Sequence, residues 1–214
     1  MSAARAGCFI TFEGGEGCGK STQIRLLAER LRSAGKEVLL TREPGGTELA
    51  EKIRTLVREE SNDPPNCRAE TLLFLASRAQ VVENVIRPAL TSGSWVLCDR
   101  FADSTFAYQG FGRGLDLGEI KRINAFATGG LVPDRTILLD VSPEVSEKRL
   151  RAREAATNTD ADRMEKAGDD FHSRLKRGFL ELAAAEPERF AVISADGSVE
   201  EVGEAVWNSI QPML

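Results

Sequence analysis

Short apolar runs alternate along the chain with longer stretches whose apolar residues recur at helical spacing. A fully buried strand reads as an unbroken apolar run and a helix as a period of about 3.6 residues, so the alternation predicts an α/β sheet rather than a sandwich or a bundle. The predicted strands cover residues 8–12, 38–41, 95–99, 136–140 and 190–194. After the first of them, Ile24, Leu27, Ala28 and Leu31 keep helical spacing and the run stops at Gly35, a residue suited to the turn beyond a helix C-terminus. Ser142 and Pro143 have the residue types of an N-cap and a first helical position, opening a helix that carries Arg149, Arg151 and Arg153. Residues 155–161 are small and polar without a period, which predicts a mobile surface segment ahead of a long helix that ends near Pro187. In the helix through 70–78, Leu72, Leu75, Ala76, Ala79, Val82, Ile86 and Ala89 make one core row, while Phe74 and Arg78 share a different face.

Composition narrows the class. The 214 residues are 42% hydrophobic, enough for one continuous core, and no repeat or Pro- or Ser-rich linker divides them, so a single domain over 1–214 is expected. Lys and Arg number 28 against 33 Asp and Glu, a formal charge of −5, which argues against a protein that coats a nucleic acid polymer and requires any phosphate-binding cations to be clustered. The four cysteines, Cys8, Cys18, Cys67 and Cys98, form no C-x-x-C pair and read as free thiols in a reducing compartment. The start of the chain lacks a signal-peptide apolar core, and no run approaches the roughly 18 apolar residues of a membrane span. A cytoplasmic protein without a membrane partner is expected.

One motif carries chemistry on its own. Gly14-Gly15-Glu16-Gly17-Cys18-Gly19-Lys20-Ser21 matches G-x-x-x-x-G-K-[ST] between a predicted strand and a predicted helix, the setting of a phosphate-binding P-loop. Its glycines let backbone N–H groups curl around a β-phosphate, the helix N-terminus favours negative charge, Lys20 can bridge β- and γ-phosphates, and Ser21 can ligate Mg²⁺. Thr22 completes the candidate ATP site. Asp99 closes the apolar run 95–98, where a second carboxylate beside Mg²⁺ is expected. No Asn-Lys-x-Asp run follows the loop, which sets aside a GTPase switch, and Gly15, Glu16 and Gly17 stand where some partitioning ATPases carry an extra lysine.

Three stretches, 9–21, Thr41-Arg42-Glu43-Pro44-Gly45-Gly46-Thr47 and Asp99-Arg100-Phe101-Ala102-Asp103-Ser104-Thr105-Phe106-Ala107-Tyr108-Gln109-Gly110, resemble the signatures of bacterial thymidylate kinases. The likeness runs over nearly the whole chain, including the Asp162-Arg163-Met164-Glu165 run. It implies a five-stranded parallel sheet with helices on both faces, the nucleoside monophosphate kinase form of the P-loop fold, and transfer of the γ-phosphoryl group of ATP to dTMP for dTTP synthesis. It also implies Mg²⁺ as cofactor, a homodimer, and an arginine-bearing lid over about 149–166. By the same resemblance Phe74 stacks on thymine, Arg78 and Thr105 meet the base, Tyr108 crowds C2′ of the sugar, and Glu16 accepts from the 3′-hydroxyl. Arg100, helped by Arg42 and Arg54, is implied for the acceptor phosphate, where a guanidinium fork gives paired hydrogen bonds. One branch of the family has an arginine where this chain has Gly17. Here the transferred group is expected to meet Lys20, Arg100 and the lid arginines Arg153 and Arg149 instead. Val81 and Val85 share the Phe74 face and extend toward a partner or pack within the chain.

Two other readings fit the P-loop. Another small P-loop kinase, including one acting on free deoxynucleosides, would need a base near the 5′-hydroxyl, whereas Asp99-Arg100 with Arg42 offers cations for an existing phosphate. An ATP-gated switch without turnover is the reading from a different class.

Overall fold

The computed structural model describes residues 7–59, 61–157 and 168–214. Five strands, β1 (Phe9–Glu13), β2 (Val38–Arg42), β3 (Trp95–Asp99), β4 (Arg135–Asp140) and β5 (Phe190–Ser194), form a sheet of order β2-β3-β1-β4-β5 in which every neighbouring pair is parallel. The first strand is buried along its whole length, which is why its sequence shows no polar alternation. One of its faces places Ile10 and Phe12 in a cluster with Leu27 and Leu31 of helix α1 (Lys20–Ser33) and Val202 and Val206 of α9 (Val199–Ile210). The opposite face packs Phe9 against Val82, Ile86 and Phe101. Helices therefore cover both sides, as expected for a parallel sheet.

The remaining helices are α2 (Glu48–Arg58), α3 (Cys67–Val81), α4 (Arg87–Thr91), α5 (Ala102–Thr105), α6 (Leu117–Thr128), α7 (Pro143–Thr157) and α8 (Asp169–Ala185). Two π-helical turns, Val82–Ile86 and Phe106–Gly112, continue α3 and α5. Gly35, at φ +79, sits just past α1 as its sequence position predicts. The break expected at residue 155 is absent as far as Thr157, because α7 runs on through the alanines. Residues 158–161 of that stretch and the motif at 162–165 lie outside the described residues.

The core row predicted for α3 needs correction. Leu75, Val82 and Ile86 are buried, but Leu72 is 58% exposed and Ala76 is also exposed. The helix packs sideways against α2 and α6, so its buried stripe runs through Thr71, Leu75, Arg78 and Val82, one step around from the expected one. Val81 is fully buried and Val85 packs on the same cluster, so both serve the core of their own chain.

Beneath the carboxyl end of the sheet lies a polar layer. Thr11 and Thr136, facing each other on β1 and β4, share a hydrogen bond of 2.9 Å, and Arg189 donates to Thr136 Oγ1 at 2.6 Å. Arg189 also grips the Asp103 carboxylate through both Nη atoms, at 2.7 and 2.9 Å, joining the start of β5 to α5. Asp103 is 1% exposed and the Arg189 side chain 12%. Breaking a buried pair leaves a charge without its counterion and typically costs 3–5 kcal/mol, against at most about 1 kcal/mol for a surface pair. Arg189→Met should accordingly lower the free energy of urea unfolding by about 3 kcal/mol. Arg25→Met, which removes the exposed partner of Glu29, should change it by less than about 0.5 kcal/mol. Equal effects would show that the Asp103 pair is no better protected than a surface one.

Candidate active site

A cleft of about 700 Å³ opens at the carboxyl ends of the strands, where open parallel sheets bind ligands. The P-loop forms one wall because β1 ends in the glycine turn and α1 starts at Lys20, with Gly19 at φ +92 as its N-cap. Lys20 Nζ donates to the carbonyl oxygens of Gly14 at 3.1 Å and Gly15 at 2.8 Å. Ser21 Oγ donates to Asp99 Oδ2 at 3.1 Å, so the two groups expected beside Mg²⁺ are adjacent. They are hard oxygen donors in an exposed position, a set that suits Mg²⁺ once phosphate oxygens and water complete its shell. Thr22, Gly17 and Gly19 also line the cleft, whereas Gly14, Gly15 and the buried Cys18 are not part of its wall.

Glu16 is the junction of the site. Its carboxylate takes the guanidinium of Arg100 and a longer hydrogen bond of 3.4 Å from the Tyr108 hydroxyl. Burial alone would raise the Glu16 carboxyl, but Arg100, Lys20 and Arg153 outweigh it and hold it at about 2, so it is an acceptor only at any working pH. The Tyr108 ring lies 5.0 Å from the Arg100 guanidinium, and burial pushes its hydroxyl upward, so it stays protonated. Arg100 itself has φ +68, the left-handed region that residues with a Cβ seldom enter.

The far end of the cleft is built on Arg78. The residue is 2% exposed, and its guanidinium donates to Glu43 Oε2 (2.7 Å), Thr105 Oγ1 (3.0 Å), Asn124 Oδ1 (2.9 Å) and the carbonyl of Phe101 (2.9 Å). All but one of its N–H groups are thus held by the protein, which makes it the keystone of the wall. Half-buried Phe74 lies one helical turn earlier on the same lining. Arg54 donates to the Pro44 carbonyl at 2.9 Å, and Arg42 is held at the rim by both oxygens of Glu51, at 2.8 and 3.0 Å. Sequence reasoning missed Glu43 and Gln109, both buried and lining the cleft, although each sits inside a quoted signature. Gln109 is turned into place by its bond to Glu70 at 3.1 Å.

Helix α7 closes the site from above. Ser146 Oγ donates to the Glu16 carbonyl at 2.8 Å, and Arg149 reaches the Gly17 carbonyl at 3.5 Å and that of Gly197 at 3.3 Å. Arg149, Leu150 and Arg153 line the cleft, while Arg151 pairs with Glu147 on the outer face. A Cβ at Gly17, whose φ is +68, would fall 2.8 Å from the Ser146 carbonyl and 3.2 Å from Leu150 Cγ. The bare glycine is what lets the helix lie on the loop.

Comparisons with known proteins agree with one another. The family model for thymidylate kinase matches residues 12–206. A thymidylate kinase of Synechococcus sp. (strain JA-2-3B'a(2-13)) is 52% identical over 206 residues, spanning 96% of this chain and 95% of the relative. One from Cutibacterium acnes is 47% identical and spans 97% and 98%. The crystal structure of thymidylate kinase from Ehrlichia chaffeensis superposes with a TM-score of 0.77 at 34% identity, covering 96% of this chain and 99% of the other. Among the described residues no helix is long and apolar enough to cross a membrane.

The buried pair at the far end makes a pH prediction. Burial raises the Glu43 carboxyl from 4.5 to about 7 against the pull of Arg78. A carboxyl with a raised folded-state pKa contributes stability that is fully present below its unfolded value and lost as pH rises through the folded one. The wild type should therefore lose stability relative to Glu43→Gln between about pH 4.5 and 7, in sum on the order of 3 kcal/mol. Urea unfolding of both proteins at several pH values reads this directly, and a difference flat across the window would mean that Arg78 keeps Glu43 ionised throughout.

Proposed function

The chain belongs to the thymidylate kinase family and phosphorylates dTMP to dTDP using ATP, and we propose that its cleft divides this work between the P-loop and the Arg78 wall. The observation that carries the reading is the placement of Lys20 and Ser21, Arg100, and the Phe74–Arg78 face around one cavity. ATP phosphates lie along the N–H groups of the loop, with Lys20 swinging from the carbonyls of Gly14 and Gly15 to the β- and γ-phosphates. Ser21 and Asp99 hold Mg²⁺, which when bound neutralises phosphate charge. Arg100, with Arg42 and Arg54 nearby, takes the dTMP phosphate. Glu16 accepts from the 3′-hydroxyl, and Tyr108 occupies the space a 2′-hydroxyl would need. Thymine stacks on Phe74 and meets Arg78 and Thr105 at its edge.

The acceptor oxygen is already anionic near neutral pH, so no general base is required, and positioning and charge neutralisation carry the rate. Arg153, assisted by Arg149, supplies the cation over the transferred group, and α7 with the residues that follow it, about 149–166, acts as the lid of a single domain. Free Cys8, Cys18, Cys67 and Cys98 support a cytoplasmic setting. Leu49 and Leu56 on α2, Leu72 on α3 and Phe126 on α6, itself 90% exposed, leave an apolar surface on three helices packed side by side, which supports a homodimer.

Three outcomes test the proposal. A coupled ADP-release assay over a panel of nucleoside monophosphates should give dTMP as best acceptor, dUMP weaker and ribonucleotides poor, and Phe74→Ala should raise KM for dTMP by a factor consistent with roughly 1–3 kcal/mol of stacking. Equal turnover of CMP, UMP or AMP would defeat it. Light scattering should give a mass of two chains that falls to one in Phe126→Glu; a wild-type monomer would remove the dimer. In single-turnover transfer at saturating substrates, Arg153→Ala should slow the reaction toward roughly 10³-fold with little change in binding, and Arg151→Ala should do much less. Adding Gly17→Arg to Arg153→Ala should not restore the rate, because a side chain there meets Ser146 and Leu150. A near-normal rate for Arg153→Ala takes that residue out of the mechanism.

A further inference from the structure

Arg100 is the one non-glycine residue at positive φ among the described residues, and it is the residue assigned above to the acceptor phosphate. A left-handed residue with a Cβ persists only where its surroundings hold it. The holding is done by the end of β1. The Arg100 N–H donates to the Phe12 carbonyl at 3.0 Å, and the next N–H, that of Phe101, donates to Glu13 Oε1 at 2.8 Å. The other oxygen, Glu13 Oε2, accepts from Ser104 Oγ at 2.5 Å. Ser104 Oγ in turn accepts from Arg100 Nη1 at 3.2 Å, and the same Nη1 donates to the Gly14 carbonyl at 3.1 Å. Three consecutive residues of β1 and the P-loop thus grip the Arg100 turn before it, after it and at its guanidinium.

Glu13 is an uncommon side chain for a buried strand. It has 0% exposure, it alternates with Phe9 and Thr11 on one face of β1, and it stands beside Asp103. Burial first, and Asp103 second, push its carboxyl up to about 8, so the site is an unfavourable one for this side chain. An aliphatic residue would be cheaper to bury, but would leave the Phe101 N–H without an acceptor and would release Ser104.

We infer that Glu13 is a positioning residue for phosphoryl transfer, clamping the left-handed turn at Arg100 and, through Ser104, the direction of its guanidinium. The inference rests on the reading that Arg100 meets the dTMP phosphate. It does not touch the substrate itself; its effect passes through residues 100, 101 and 104.

Steady-state kinetics on Glu13→Ala, Glu13→Gln and Ser104→Ala tests this, each measured for both substrates and each alone and combined with Arg100→Met. Glu13→Ala should raise KM for dTMP by about tenfold or more, the scale of one misplaced charge-assisted hydrogen bond, and leave KM for ATP within about twofold. Glu13→Gln keeps an acceptor for Phe101 and should fall between wild type and Glu13→Ala. Ser104→Ala, which retains the Glu13–Phe101 bond and the fold, should show the same dTMP-selective rise in smaller measure. In the Arg100→Met background all three should add little further loss, because the residue they position is gone. If Arg100→Met raises KM for dTMP but the Glu13 and Ser104 variants leave it within about twofold, or raise both KM values alike, the clamp is wrong and the phosphate reading stands. If Arg100→Met itself leaves KM for dTMP unchanged, the phosphate reading fails first, and that result is distinct from the others.

Discussion

The pairing of β1 with β3 fixes everything around the cleft. Their parallel register sets Phe12 opposite Asp99, so the two strands end side by side and release the P-loop and the 99–105 segment at the same height. From that single alignment follow the Ser21–Asp99 contact, the Arg100–Glu16 pair and the hydrogen bond from Arg100 N to Phe12 O. Side chains on a strand alternate faces, so a slip of one residue would turn Glu13 into the α1 side of the core and Phe12 toward α5. The apolar cluster that contains Ile10 and Phe12 forbids the slip. The hydrophobic core therefore specifies the electrostatics of the site.

The chain is acidic overall, yet its cleft gathers Lys20, Arg54, Arg78, Arg100, Arg149 and Arg153. Two phosphate-bearing substrates require that local excess, but arginines packed together repel in their absence. Neighbouring carboxyl groups answer this. Glu16 sits among Arg100, Lys20 and Arg153, and Glu43 lies against Arg78, while Asp103 faces Arg189 one layer below. A carboxylate placed beside an arginine also fixes its fork, since paired hydrogen bonds are directional.

Much of this was legible in the sequence, and what was missed has physical reasons. The three central strands could be read because buried parallel strands are unbroken apolar runs, and the P-loop because glycines at fixed spacing before Lys20 and Ser21 have few other uses. The buried stripe of α3 could not. Leu72 and Leu75 both belong to plausible helical stripes, and only the neighbours α2 and α6 decide which one faces inward. The burial of Arg78 could not be read because its partners, Glu43, Phe101 and Thr105, and Asn124, come from three separate segments of the chain. The extension of α7 was misread when Ala155 and Ala156 were taken for loop residues, although alanine has the highest helix propensity. Ser146 carried no signal, since its partner lies 130 residues away.

The contact between α7 and the P-loop ties the residue at position 17 to the seating of the helix that carries Arg149 and Arg153. In a trans peptide the carbonyl and the following N–H point in opposite directions. The Glu16 and Gly17 carbonyls are turned toward α7, where Ser146 and Arg149 donate to them, so the N–H groups of Gly17 and Cys18 are turned away from the helix. A hydrogen bond accepted by a carbonyl polarises its peptide and makes the N–H a better donor, so a docked α7 makes the Gly17 and Cys18 N–H groups better donors. The arrangement needs a residue at 17 with positive φ and no side chain, because a Cβ would meet Ser146. Glycine there lets the helix bearing Arg149 and Arg153 seat on the loop, whereas a long side chain would push that helix off it.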